Sequence, residues 1–182
     1  MEKSKFCDTC KRTNCTKEGG VHDMAHIKPA CYIDSNRPSK DEYYLGIADA
    51  VLKRSTCLRR RYGAVLVKGD EIVSTGYNGS PRGEQNCCDC GYCAREEQNI
   101  PKGERYELCV AIHAEDNAIT SASRSKACGA TLYIVGRNVS DNSLANPSPC
   151  MMCRRKIVNA GVDRVVGLVD GVPTEIDFKS EA

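Results

Sequence analysis

Hydrophobic positions recur along this chain in two rhythms, and both begin only after about residue 38. Tyr44, Ile47, Ala48, Val51 and Leu52 repeat at helical spacing behind Ser39 and Glu42, which stand three residues apart as in a capping box. Tyr62–Val67 and Glu71–Gly76 read as strands, joined at Lys68, Gly69 and Asp70 by a Gly-containing turn. Gly76 to Gly83 is too rich in Gly and Pro for an element interior and reads as a shaped loop. Ala114, Ala118, Ile119 and Ala122 mark a second helix, Ala130–Val135 another strand, and Gly136–Asn146 a polar loop. Cys150–Ala160 then reads as a helix stopped by Gly161, and Arg164–Val169 as a last strand of buried character. The order helix, strand, strand, helix, strand, helix, strand predicts a three-layer α/β domain with a mixed sheet over residues 39–182.

Residues 1–38 carry no such pattern, only Cys, His, Lys and small polar residues. A segment of that kind cannot bury a core of its own and needs a metal to fold. Cys7, Cys10, Cys15, His22, His26 and Cys31 are the candidate ligands of a zinc knuckle in this Cys-rich N-terminal arm. The plainer alternative is a loosely ordered arm with reduced thiols.

Charge changes the picture little. Lys and Arg number 26 against 24 Asp and Glu, so no overall field draws the chain to nucleic acid or a membrane, and an anionic substrate has to be held locally. The first residues have no apolar signal region and no later run is long enough to span a bilayer, so the expectation is a cytoplasmic protein. Thirteen cysteines in clusters, without a secretory signal, point to metal rather than to disulfides.

The chemistry concentrates in His113-Ala114-Glu115 and Pro149-Cys150-Met151-Met152-Cys153. Cys150 and Cys153 fall on one face of a helix, and a helix N-terminus favours thiolates. With His113 they supply three ligands, and catalytic zinc keeps three protein ligands and an open fourth position. Glu115 is then free to move protons. Taken singly, each motif has a plainer explanation: the tripeptide arises by chance, and a lone Cys-x-x-Cys more often builds a structural site. Together they resemble the signature of the zinc nucleobase deaminases.

From Ser39 to about Val166 the chain resembles the deoxycytidylate (dCMP) deaminase family within the cytidine deaminase fold. The resemblance rests on Arg54–Arg60, Gly63-Ala64-Val65, Thr75-Gly76-Tyr77-Asn78-Gly79, Gly103–Cys109, the His113 motif with Asn117-Ala118, Gly129–Tyr133, the Pro149 motif and Asn159-Ala160-Gly161. It implies hydrolytic deamination of dCMP to dUMP with release of ammonia, by zinc-bound hydroxide with Glu115 as proton shuttle. It also implies substrate contacts by Asn78 to the sugar and by Ala114 and Ser148. A second, structural zinc on Cys57, Cys87, Cys93 and Cys109 is implied as well, with inert buried thiols as the plainer alternative. Cys88 and Cys90 are extra to that set. Arg59 and Arg82, with Arg60 and Arg61, lie where the resemblance puts the sugar-phosphate end, and family members commonly assemble into hexamers or dimers.

Two departures bear on substrate choice: Asp116 stands where the family usually has Gln, and Gly136–Asn146 interrupts the usual run into the Pro149 motif. Two other readings remain open. One is a deaminase of another cytosine or adenine substrate, free or in nucleic acid. The other is a zinc-stabilised nucleic-acid-binding protein using Arg59-Arg60-Arg61 and Arg154-Arg155-Lys156. Against the latter stand the aromatic content of 5%, which leaves few stacking platforms, and an intact Glu115.

Overall fold

The computed structural model describes residues 36–101 and 103–179. The proposed knuckle residues Cys7, Cys10, Cys15, His22, His26 and Cys31 lie outside them. Ser39–Ala182 forms one compact unit, and no described helix is long and apolar enough to cross a membrane.

The unit opens with α1, Lys40–Val51, and the capping box is formed in both directions: Ser39 Oγ accepts from the Glu42 amide and Glu42 Oε2 accepts from the Ser39 amide at 2.7 Å. Two strands follow, β1 (Arg60–Lys68) and β2 (Glu71–Tyr77), antiparallel through a turn in which Gly69 and Asp70 both have positive φ. Short helices α2 (Cys87–Cys90) and α3 (Ala94–Glu97) occupy the cysteine-rich connection, which sequence reading leaves without elements. Then come α4 (Ala114–Ala127), β3 (Thr131–Asn138), β4 (Leu144–Ala145), α5 (Met151–Ala160), β5 (Arg164–Val169) and β6 (Val172–Glu175).

The sheet runs β2-β1-β3-β5-β6, with β4 beside β3. β3 and β5 pair parallel and the other pairings are antiparallel, so the sheet is mixed as expected. Its inner strands are continuously apolar because both faces are covered. Alternate residues divide between the two layers: Ala64, Leu66, Leu132, Ile134 and Val165 pack with Ala114, Ala118, Cys153 and Ile157 of α4 and α5. Val65, Val67, Tyr133, Val135 and Val166 pack with Tyr44, Leu45 and Ala48 of α1. The period-2 alternation of a strand thereby builds a three-layer sandwich.

Two regions differ from expectation. The polar stretch Gly136–Asn146 is a hairpin, with β3 running on to Asn138 and β4 pairing back through Gly136 with Ala145 and Arg137 with Leu144. Local polar bonds close its tip: the Asn138 amide donates to Ser143 O at 2.9 Å, and Asp141 Oδ1 accepts from the Ser143 amide at 3.0 Å. The edge strand β6 also lacks an apolar run, and Pro173 suits only an edge position. Its signal was the Asp170-Gly171 turn, both residues having positive φ.

Candidate metal centre and substrate cavity

His113 is the N-cap of α4 and Cys150 the N-cap of α5, each in extended backbone just before its helix. Both helices sit on the same face of the sheet, so their positive ends meet and Cys153, in the first turn of α5, turns toward His113. His113 Nδ1 lies 3.4 Å from Cys150 Sγ and 3.3 Å from Cys153 Sγ. All three ligand atoms are within 4.8 Å of one another, and among the described residues no other group of His, Cys, Asp or Glu reaches that closeness. A tetrahedral zinc with bonds of ~2.0–2.3 Å holds its nitrogen and sulfur ligands ~3.5 Å apart, so this donor set fits the ion in element and in spacing.

Electrostatics agree with that use. The Cys150 thiol is pulled down to about 4, first by the hydrogen bond from Cys153 and then by His113, against the opposing effect of burial. Cys153, donating to that thiolate and buried, is pushed up, and His113 is raised by its bond to Cys150. Three groups thus share protons that a divalent cation would displace. Glu115 follows one residue after the first helical position, is 7% exposed, and is raised above the ordinary carboxylate range by burial.

Glu115, His113 and Cys150 line a cavity of about 540 Å³, within the span of small-molecule sites, while Cys153 is buried outside that lining. Its wall includes Asn78, Ala114, Ser148 and Arg59 from the sequence reading, while Arg82 is exposed and lies outside this lining. Asn78 is largely committed to the protein. Its Oδ1 accepts from Ser55 Oγ at 2.6 Å and from the Tyr62 amide at 2.7 Å, and its Nδ2 donates to Arg60 O at 2.9 Å. Ser148 is held in the turn before α5 by its amide bond to Asn146 Oδ1 and by Arg154, which donates to its hydroxyl.

Cys57, Cys87, Cys93 and Cys109 line the same cavity, half-buried, whereas Cys88 and Cys90 are exposed. Burial pushes the Cys87 thiol up, and its neighbours Cys57, Cys109 and Cys93 add to that. The four thiols converge without reaching the closeness of the His113 triad.

Tyr62, Arg95, Tyr106 and Asn146 also line the cavity; Asn146 ends the stretch expected to bear on substrate choice, and the other three have no site role in the sequence analysis. Tyr62 hid inside a strand pattern, and its hydroxyl donates to Asn146 O at 3.0 Å from the hairpin taken for a loop. Tyr106 meets His113 edge-on with ring centroids 5.1 Å apart. Arg95 places its guanidinium 4.7 Å from the Tyr106 ring centre. An Arg two residues after Cys93 in a polar segment was the one available signal for it.

The sequence model of the cytidine and deoxycytidylate deaminase zinc-binding region matches residues 38–169, a span that carries both motifs. The chain belongs to this deaminase family. It is 39% identical over 135 residues to the deoxycytidylate deaminase of Mycobacterium phage D29, covering 72% of this chain and 95% of the phage protein. It is 38% identical over 148 residues to the deoxycytidylate deaminase of Schizosaccharomyces pombe, covering 80% of this chain and 42% of that relative. The chain therefore spans less than half of the yeast protein and nearly all of the phage one. Among solved structures, the dCMP deaminase from the cyanophage S-TIM5, in complex with dCMP and dUMP, superposes with a TM-score of 0.51 at 28% identity, covering 72% of this chain and 82% of that one. Membership of the deaminase family accounts for the helix order, the mixed sheet and the His-Cys-Cys triad together.

Proposed function

We propose that this chain deaminates dCMP hydrolytically to dUMP and ammonia. The observation that carries the proposal is Glu115, a buried carboxyl that lies beside a triad suited to zinc and lines a cavity of nucleotide size. The deoxycytidylate deaminases among its relatives support the choice of base and sugar.

His113, Cys150 and Cys153 would hold the ion, which when bound lowers the pKa of water and polarises it for attack. Everything else in the reaction falls to the chain's own residues. Glu115 takes the proton that water gives up as it adds to C4 of the ring, and passes it to N3. The second water proton reaches the exocyclic amine by the same carboxylate, the C4–N bond breaks, and ammonia leaves with Glu115 restored to its starting form. Burial suits that double duty, since it brings the carboxyl closer to the operating pH. The Tyr62 ring, packed against Gly136, and the Asn78 network shape the wall against which the substrate is held.

Three further elements belong to the same reading. A structural zinc on Cys57, Cys87, Cys93 and Cys109 is supported by four half-buried thiols that interact with one another, and Cys88 and Cys90 are left out of it because they are exposed. Of Arg59, Arg60, Arg61 and Arg82, the first two line the cavity, and Arg59 is the one of them proposed to meet a phosphate. A homo-oligomer, hexamer or dimer, is supported by the family resemblance.

The test is ammonia release from dCMP, dCTP, deoxycytidine, CMP and a cytosine-containing oligonucleotide with the zinc-loaded protein. Highest kcat/KM on dCMP supports the proposal. Preference for dCTP moves the protein to another branch of the same fold, and no release from any of the five ends the enzyme reading.

A further inference from the structure

We infer that Arg95 is a phosphate-binding specificity residue of this site, an inference that rests on the deaminase reading for the identity of the substrate. Arg95 is 8% exposed and lines the cavity. Its Nη2 donates to Pro101 O at 2.6 Å, while its Nε is buried without any acceptor. Among the described residues no carboxylate pairs with it. Arg59, on the wall of the same cavity, forms an ion pair with Glu96 and donates to Ile100 O, but its Nη1 is likewise buried without a partner.

Two guanidinium groups with idle N–H donors on one cavity wall are costly unless something accepts from them, because a buried donor left unsatisfied keeps its desolvation penalty. Stacking on Tyr106 offsets part of the cost for Arg95 but supplies no acceptor. Glu96 pairs with Arg59, whereas among the described residues Arg95 has no ion pair, its charge meeting only Glu107 and the Cys109 thiol at longer range. The group that answers both needs is an anion with several oxygens, for which the guanidinium fork is shaped.

Position decides which anion. The Tyr106 ring contacts both groups, meeting the His113 ring in a T-shaped arrangement and carrying the Arg95 guanidinium over it. A pyrimidine seated at Glu115 and the metal triad would send its sugar and 5′-phosphate away from the triad along this wall. The cation standing one aromatic ring beyond the triad would then meet a phosphate monoester. Of the other arginines of the wall, Arg154 donates to Pro149 O and Ser148 Oγ and Arg60 to Asn138 Oδ1, and neither has a buried side-chain donor without a partner.

The experiment compares the zinc-loaded wild type with Arg95→Gln and Arg95→Lys, measuring kcat and KM on dCMP and on deoxycytidine, zinc content, and binding of inorganic phosphate by calorimetry. The expected result for Arg95→Gln is a ratio of dCMP to deoxycytidine kcat/KM that falls roughly ten- to a hundredfold, mostly through KM for dCMP, with zinc content unchanged. Arg95→Lys restores charge without the fork and recovers part of the ratio. Equal losses on both substrates, or loss of zinc, would make Arg95 a support for Tyr106 and the nearby thiols and overturn the inference. Should Arg95→Gln fail to fold, Arg95→Lys carries the same comparison, and an unchanged ratio there, with unchanged phosphate binding, is equally fatal. If the wild type turns over neither substrate, the deaminase reading falls by itself. The phosphate titration then decides Arg95 alone: binding that is lost or weakened tenfold in the variant upholds it, and equal binding overturns it.

Discussion

His113 Nδ1 stands 3.3 Å from Cys153 Sγ across forty residues of sequence. Glu115, two residues beyond the same histidine, supplies none of the three clustered ligand atoms. The proposed ligands and the proposed proton carrier are therefore expected to separate by mutation. Glu115→Gln is expected to retain the zinc and the fold and to lower kcat by about 10²–10⁴-fold. His113→Ala or Cys150→Ala is expected to lower zinc content by one per chain. Elemental analysis alongside ammonia release distinguishes them, and a Glu115→Gln protein that loses the ion, or keeps near-normal turnover, sinks the assignment.

The proposed structural zinc on the four half-buried thiols is tested by a second metal analysis. Cys109→Ser is expected to remove one zinc per chain and to lower thermal stability while leaving the zinc of the His113 triad in place, because four thiolates leave no position for water. Cys88→Ser and Cys90→Ser, at exposed positions, are expected to change neither count nor stability. Equal zinc in Cys109→Ser and wild type would return the cluster to inert thiols.

Much of this was legible in sequence, and the reason is local. The Ser39 capping box, the Arg164–Val169 strand and both helix-terminal motifs depend on neighbours within a few residues, and all formed as read. The mixed sheet followed from element order. What escaped depends on distant partners. Leu144 and Ala145 become a strand only because Arg137 and Gly136 offer a free edge, and Val172–Glu175 only because β5 does. Tyr106 and Arg95 stack beside the site through contacts that no periodicity announces. Asn78, expected to serve the sugar, lines the cavity, and its amide also ties Ser55, Arg60 and Tyr62 together, bonds that sequence does not announce.

An acid-labile tie joins α1 to the inner strands β5 and β3. Arg164 donates to both carboxylate oxygens of Asp41 at 3.0 and 2.8 Å, and Tyr133 donates to one of them at 2.9 Å. The Arg164 bond, chiefly, holds the Asp41 carboxyl below its ordinary range, with burial opposing. A depressed folded-state pKa gives stability that is fully present above the unfolded carboxylate range near ~4 and is lost as pH falls through the folded value. The side chains are 27% and 36% exposed, so solvent screening limits the contribution to about 1 kcal/mol. Urea unfolding of wild type and Asp41→Asn is expected to differ by that amount at neutral pH and to converge near ~pH 2–3. A gap that persists unchanged in acid would assign the effect to packing instead.

Gly76 is where strand and site touch most closely. It lies in β2, beneath the first turn of α4, and an added Cβ would fall inside contact distance of the Ala114 carbonyl oxygen and the Ala118 amide nitrogen. Both are backbone atoms of the helix that carries His113 and Glu115, so no side chain can rotate aside, and relief has to come from moving α4 off the sheet. Ser74, two residues earlier on the same strand, already ties down that turn by donating to Ala118 O at 2.7 Å, which leaves the helix little room to slide. Gly76→Ala is therefore expected to cost about 1–3 kcal/mol by overpacking and to weaken zinc retention, since displacing α4 pulls His113 away from Cys150 and Cys153. Gly46→Ala provides the contrast. Gly46 sits within α1 with nothing inside 4 Å of an added Cβ, and replacing a helical Gly by Ala favours the helix by about 1 kcal/mol. Denaturation midpoints and zinc loss to a chelator should move in opposite directions for the midpoint and in only one variant for the metal; a Gly76→Ala protein that matches wild type in both would mean that α4 can shift without disturbing the triad.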